Sequence, residues 1–183
     1  KYCLDLYEKT KINKKLYGKG GASLREENLA GAKAVAEALG MSQEEIAKGC
    51  VNIKPWPQIK KGINGIDIID ATYSANPNGV MAHLDYLKQW SGKKIIIMPC
   101  LIELGKASKE VHQRIGRKIG EVCDLAIITT KDRFKEIKEV APNALFIENP
   151  KKIFEKINSF AKEGDTVLLE SRVANQLIGL LIK

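Results

Sequence analysis

Cysteine and histidine are scarce: four and two residues in a chain of 183. Cys3, Cys50, Cys100 and Cys123 have neither CxxC nor metal-ligand spacing, so no cysteine metal centre or dithiol redox site is written here. They read as reduced, buried thiols of a cytosolic protein, and the expected location is cytoplasmic. No apolar run approaches the roughly 20 residues that span a bilayer, and no signal-peptide pattern opens the chain; a membrane is not an expected partner. There is no long basic block and no interleaving of basic with aromatic residues. Nucleic acid is therefore not expected either, and the net charge of +8 suits a small anionic substrate. Low-complexity tracts and long internal repeats are also missing. The chain starts at Lys1 rather than at methionine and reads as a piece of something longer.

What is present is a regular alternation. Apolar residues make up 44% of the chain, enough for a proper core. From Gly62 onward, strands are expected at "GIDIIDAT", "KKIIIMPC", "DLAIITT", "NALFIE" and "DTVLLE". Helices are expected at "PNGVMAHLDYLKQW", "SKEVHQRIGRKIGEVC", "DRFKEIKEVA", "PKKIFEKINSFAK" and "VANQLIGLLI". The middle strands are short continuous apolar runs, as strands covered on both faces should be. Strict strand–helix alternation implies an α/β fold with a mostly parallel sheet and right-handed crossovers.

The first 50 residues differ. They suggest a strand at 2–7, a polar loop at 10–21, and two helices. Ser23 and Glu26 form a capping box for the first helix, whose apolar face carries Asn28, Ala32, Val35, Ala36 and Leu39; Ser42 caps the second. So little structure needs a neighbour to bury against. The boundary falls in "NIKPWPQIKKG", where prolines on both sides of Trp56 favour extended chain.

Three segments carry candidate chemistry at one sheet edge. In "DATYSANPNG", Asn76 and Pro77 start a helix, whose free N–H groups would face the carboxyl end of a strand. Asn149-Pro150 is an internal control for a plain cap; Thr72, Tyr73 and Ser74 are what the first site adds. In "MPCLIELGKAS", Glu103 stands between Ile102 and Leu104, with a lysine or a backbone N–H as its plain partner. His112 follows beside the stripe Val111, Ile115, Ile119, and His83 carries less of a mark still. In "LLESRVANQ", Glu170, Ser171 and Arg172 end the last strand; Arg172 could fork onto a phosphate or carboxylate, or pair with Asp70 or Glu103.

"ENLAGAKAVAEALG", "IIDATYSANPNGVMAHLDYLK", "IIIMPCLIELGKASKEVHQRIG" and "LLESR", in that order, resemble the closing part of the Mur ligases, and within them the dipeptide-adding branch. The resemblance runs from about Leu24 to the end. It implies that residues 1–50 are the tail of a central ATPase domain. Residues 51–183 would then be the Rossmann-like C-terminal domain, with helices on both sheet faces, and the N-terminal and ATPase domains would be missing. It further implies an ATP-dependent ligase of cell-wall peptidoglycan synthesis that activates a carboxylate as an acyl phosphate with ATP and Mg²⁺. An incoming amine then attacks. The implied partners are an anionic UDP-muramyl-peptide-type substrate and an amino acid or dipeptide, which this part would bind while closing the active site. On matching positions, Asn28 falls where the family contacts adenine. Thr72, Tyr73, Ser74, Asn76, Glu103, Gly105, Ser108, His112, Ser171 and Arg172 fall on substrate-binding segments.

Several positions depart from the family pattern. No GxxxxGKT loop occurs. Leu24 stands for the usual histidine, Ala71 for the second aspartate of "DDSY", Leu169 for the lysine of "KGSR", and "PQIKKG" for a Gly-Arg pair. This stretch alone is therefore expected to be inactive and to bind no cofactor tightly. A non-catalytic binding or scaffolding relative with an eroded nucleotide site is the alternative.

Overall fold

The computed structural model describes residues 24–51 and 57–182. The strand expected at 2–7, the loop at 10–21, Cys3, the Ser23 cap and Trp56 lie outside the described residues. The chain divides into two compact units, Lys1–Lys54 and Pro55–Lys183.

In the first unit, α1 spans Leu24–Ala38 and α2 spans Gln43–Val51. Gly40 adopts a left-handed φ of 84° just past α1, where a side chain would be strained. Ser42 and Glu45 form a reciprocal capping box on α2: Glu45 N–H donates to Ser42 Oγ (3.3 Å) and Ser42 N–H to Glu45 Oε2 (2.8 Å). Val35 and Leu39, grouped by the sequence on the apolar face of α1, are exposed. Ala34 and Ile46 are the buried apolar residues described in this unit.

The second unit is built on six strands: β1 (Gln58–Lys61), β2 (Asp67–Ala71), β3 (Lys94–Met98), β4 (Leu125–Ile128), β5 (Ala144–Phe146) and β6 (Thr166–Glu170). Their spatial order is β1-β2-β6-β3-β4-β5. All neighbours are parallel except β1, which pairs antiparallel with β2. The helices are α3 (Pro77–Leu87), α4 (Ser108–Val122), α5 (Phe134–Lys138), α6 (Pro150–Phe160) and α7 (Asn175–Leu181). The mostly parallel α/β fold is thus as the alternation implies. The added element is β1, which the sequence leaves as extended boundary chain.

Side-chain alternation along the strands separates two cores. Ile69, Ala71, Ile96, Met98, Ala126, Ile128 and Leu168 face α3, α4 and α5, meeting Val80, Leu84, Ile115, Ile119 and Ile137. Ile68, Ile95, Ile97, Leu125, Ile127, Val167 and Leu169 face α6 and α7, meeting Ile153, Ile157, Leu177 and Leu181. Handedness explains the division. The steps β2→β3→β4→β5 all move the same way across the sheet, so right-handed crossovers put α3, α4 and α5 on one face. The return from β5 to β6 runs the other way and puts α6 on the opposite face. Each fully buried isoleucine adds about 1.5–3 kcal/mol, and the apolar strand runs supply them to both faces at once.

Candidate functional site

β6 inserts between β2 and β3, although both precede it in the chain. The chain leaves β2 and β3 toward the α3–α5 face and leaves β6 toward the α6–α7 face. This makes a switch point at the carboxyl edge of the sheet, where open α/β folds bind ligands. The register fixes the level: Ala71 lies opposite Glu170, and Ser171 N–H donates to Ala71 O (3.2 Å).

The segment after β2 separates support from rim. Asp70 is held by Lys60 Nζ (2.6 Å), Thr72 Oγ1 (2.5 Å) and Thr72 N–H (3.2 Å). Burial alone would raise its carboxyl pKa, but these hydrogen bonds together outweigh burial and hold it below the usual value. Thr72 is thus tied down and half-buried. Asn76 caps α3 by accepting from Gly79 N–H (2.9 Å). Asn149 does the same for α6 through Lys151 and Lys152 N–H. Between support and cap, Tyr73 is 79% exposed and Ser74 is exposed; neither side chain bonds to any described residue.

After β3 the chain takes nine residues to reach α4. His112, fully buried, anchors this loop: its Nε2 accepts from Leu101 N–H (2.9 Å), and its Nδ1 lies 2.6 Å from Ser108 O. Those roles require the neutral tautomer with the proton on Nδ1. Ser108 Oγ accepts from Arg133 Nε (3.1 Å), and Arg133 also pairs with Glu136 (2.7 Å). That bond lowers the Glu136 carboxyl pKa. Glu103 takes neither plain partner. It is exposed at a left-handed φ of 61°, next to exposed Ile102 and two residues before Gly105 at φ 50°. Cys100 is buried, and desolvation raises its thiol pKa; the Cys123 thiol is pushed up to about 12 by burial. Neither is a ready nucleophile.

After β6, Ser171 is buried with a left-handed φ of 63°, while Arg172 is exposed. Arg172 pairs with neither Asp70 nor Glu103 and bonds to no described residue. It lines a cavity with Thr129, Glu148 and Pro150, on the α6–α7 face. The edge therefore brings Tyr73, Ser74 and Asn76 to one side of the sheet and turns Arg172 to the other. Asn28 is exposed on α1, in the other unit.

One pair escaped sequence reasoning. His83, on α3, places Nδ1 2.6 Å from Glu170 Oε2. The Glu170 side chain is 1% exposed, and its other oxygen, Oε1, is buried with no partner. A glutamate closing an apolar strand was the available signal; its partner, 87 positions away, was not.

The model of the Mur ligase family's glutamate ligase domain matches residues 58–172, more than half of the chain. The chain belongs to the Mur ligase family. MurF ligase from Thermotoga maritima, solved in complex with ADP, is 24% identical with a TM-score of 0.66, covering 84% of this chain and 36% of its own. MurF from Acinetobacter baumannii is 23% identical with a TM-score of 0.70, covering 85% and 37%. A bifunctional folylpolyglutamate synthase/dihydrofolate synthase from Yersinia pestis is 14% identical with a TM-score of 0.54, covering 83% and 38%. At these identities the likeness is one of fold. The Mur ligase chain spans little more than a third of each of these structures. No helix among its described residues is long and apolar enough to cross a membrane.

Proposed function

We propose that this chain is the C-terminal part of an ATP-dependent ligase that joins a carboxylate to an amine in peptidoglycan-precursor synthesis. The kind that adds D-alanyl-D-alanine fits best, with residues 51–183 receiving the incoming amino acid or dipeptide and closing the active site. Residues 1–50 are then the tail of the ATPase domain. Family membership supports the reaction class, and the order of the four sequence segments supports the branch.

The observation that carries the reading is the free hydroxyl rim. Tyr73 and Ser74 stand exposed and unbonded at the switch point, while Asp70, Thr72 and Asn76 spend their bonds holding that rim in place. Both hydroxyls are open to solvent and so are available to a ligand. In this reading Glu103, Gly105, Ser108 and His112 form the second wall: His112 and Ser108 fix the loop, and Glu103 faces the substrate. Ser171 sets the direction in which Arg172 leaves the sheet.

ATP and Mg²⁺ do not fit the described residues. No three metal-ligating side chains cluster among them, and no glycine-rich loop could wrap a triphosphate. Those groups belong to a preceding domain, and the work of these residues is to bind, orient and exclude water. The departures at Leu24, Ala71 and Leu169 favour a second reading, a non-catalytic relative.

The test uses the full-length protein. Ser74→Ala combined with Tyr73→Phe should lower kcat/KM for amide formation at least tenfold without moving Tm. The 183-residue chain alone should turn over no ATP. Unchanged ligation by the double variant would remove the rim from the site. No amide from the full-length protein with any amino acid or dipeptide would favour the non-catalytic relative.

A further inference from the structure

Exposed Tyr73 and Ser74 hang between two posts. The first post is the end of β2: Thr72 is bonded to Asp70, and Ala71 O accepts from Ser171 N–H at the end of β6. The second is α3, which the chain enters at Asn76. Val80, Leu84 and Leu87 press α3 onto the sheet, but apolar contacts have no direction and let a helix slide along its axis. Among the described residues, one side-chain hydrogen bond joins α3 to the sheet: His83 Nδ1 to Glu170 Oε2, 2.6 Å. The Glu170 side chain is 1% exposed and that of His83 18%, so water competes little for this bond. The other Glu170 oxygen is buried without a partner, which leaves His83 as the carboxyl group's one anchor among the described residues. The other polar ties of α3 run to α4 and are weaker: Lys118 to a largely exposed Asp85, and Arg114 to Asn78 at 3.5 Å.

Glu170 is also the residue before Ser171, whose left-handed φ of 63° precedes the turn of Arg172 to the opposite face. The pair therefore joins the foundations of two arms that the sheet holds apart. His83 lies six residues after Pro77, about 9 Å along the helix axis. An axial shift of α3 moves Asn76, and the loop before it, by the same amount.

We propose that His83 and Glu170 are a positioning pair. Their bond sets the register of α3 on β6, and through it the placing of the Tyr73–Ser74 rim against the Ser171–Arg172 arm. Neither side chain touches substrate in this role. The inference rests on the ligase reading above, which supplies the reaction that the placing serves. A misplacement of about 1 Å in such a site can cost on the order of a hundredfold in rate.

The experiment has two arms. In the first, backbone amide NMR shifts of the 183-residue chain are compared across variants. The side-chain amide of asparagine offers a donor and an acceptor where Nδ1 stands, so His83→Asn can keep the bond. His83→Gln carries them one atom too far, and Glu170→Asp withdraws the carboxyl by one methylene. Those two variants should each move the amides of residues 72–76 and of 171–172 together, while His83→Asn leaves both in place. Ile157→Val, on α6 in the opposite core, controls for a general loss of stability and should move neither. In the second arm the full-length protein carries the same variants. His83→Gln and Glu170→Asp should each lower kcat for amide formation at least tenfold, with KM values held within about twofold. The double variant should lose no more than the worse single, because both break one bond. His83→Asn should recover most of the rate. Shifts confined to the neighbours of the substituted residue, a His83→Asn variant as impaired as His83→Gln, additive losses in the double variant, or an equal kcat loss in Ile157→Val would overturn the proposal. The two readings fail separately. If the full-length protein forms no amide, the ligase reading falls and the amide shifts still decide the register. If it forms amide and both singles keep kcat, the pair positions nothing and the ligase reading stands.

Discussion

Glu170 and His83 show what a single residue can hide. Glu170 shares the parity of Leu168 along β6, so its side chain enters the α3–α5 face of the sheet, where His83 is its hydrogen-bond partner among the described residues. A carboxyl group shut away from water needs a hydrogen-bond partner, and removing that partner leaves a buried polar group unsatisfied. His83→Leu should therefore cost about 1–3 kcal/mol, while joining it to Glu170→Leu should recover most of that loss, because two apolar residues need no partner. Urea unfolding of the two singles and the double measures the coupling. Additive effects would mean the two side chains do not depend on each other. Nothing local in the sequence announces this pair, since periodicity and spacing report only on near neighbours. Glu103 is the opposite case. Its place between Ile102 and Leu104 is visible in the sequence, but the left-handed backbone that turns it outward is not.

Among the elements, the helix starts were the most legible, because capping is local chemistry. Asn76, Asn149 and the Ser42–Glu45 box each act within three residues, and each caps as its sequence implies. β1 was the least legible. "QIKK" has little strand character, and it pairs only because β2 offers an open edge; Lys60 and Lys61 reach Asp70 and Asp67 across it. Charged side chains suit an edge strand, where they discourage pairing with other chains. The α4–α5 contact turns on Gly116, equally silent in the sequence. A Cβ there would lie 2.6 Å from Val140 Cγ2 and 3.1 Å from both Cα and O of Ile137. Gly116→Ala gains about 1 kcal/mol in helix propensity. Overpacking costs roughly 1–3 kcal/mol, and the upper half of that range applies because the Ile137 backbone cannot rotate away. The substitution should lower the urea midpoint at constant m-value. A raised midpoint would mean α5 yields easily.

At the scale of the whole molecule, the sheet's composition decides what can stand alone. Every described residue of both apolar cores lies between Ile63 and Ile182. The first unit contributes buried Ala34 and Ile46 from its described residues, while Val35, Leu39 and Val51 are exposed. The alternation of strands and helices made the parallel sheet readable. The insertion of β6 between β2 and β3 was not, because strand order follows from which faces remain to be covered rather than from any local pattern. That insertion brings residues 72–76 and 171–172 to one edge, so the candidate site is a product of topology more than of motif. It also makes the sheet a single cooperative object: β6, from the end of the chain, joins β2 to β3, from the middle. Residues 55–183 should therefore fold without the first unit and unfold in one transition, with coincident near- and far-UV circular dichroism. Removing the chain from Asp165 onward should take away β6, the strand that joins β2 to β3, and abolish the transition altogether. A 55–183 species with far-UV signal but no near-UV signal would place part of the core's support in the first unit.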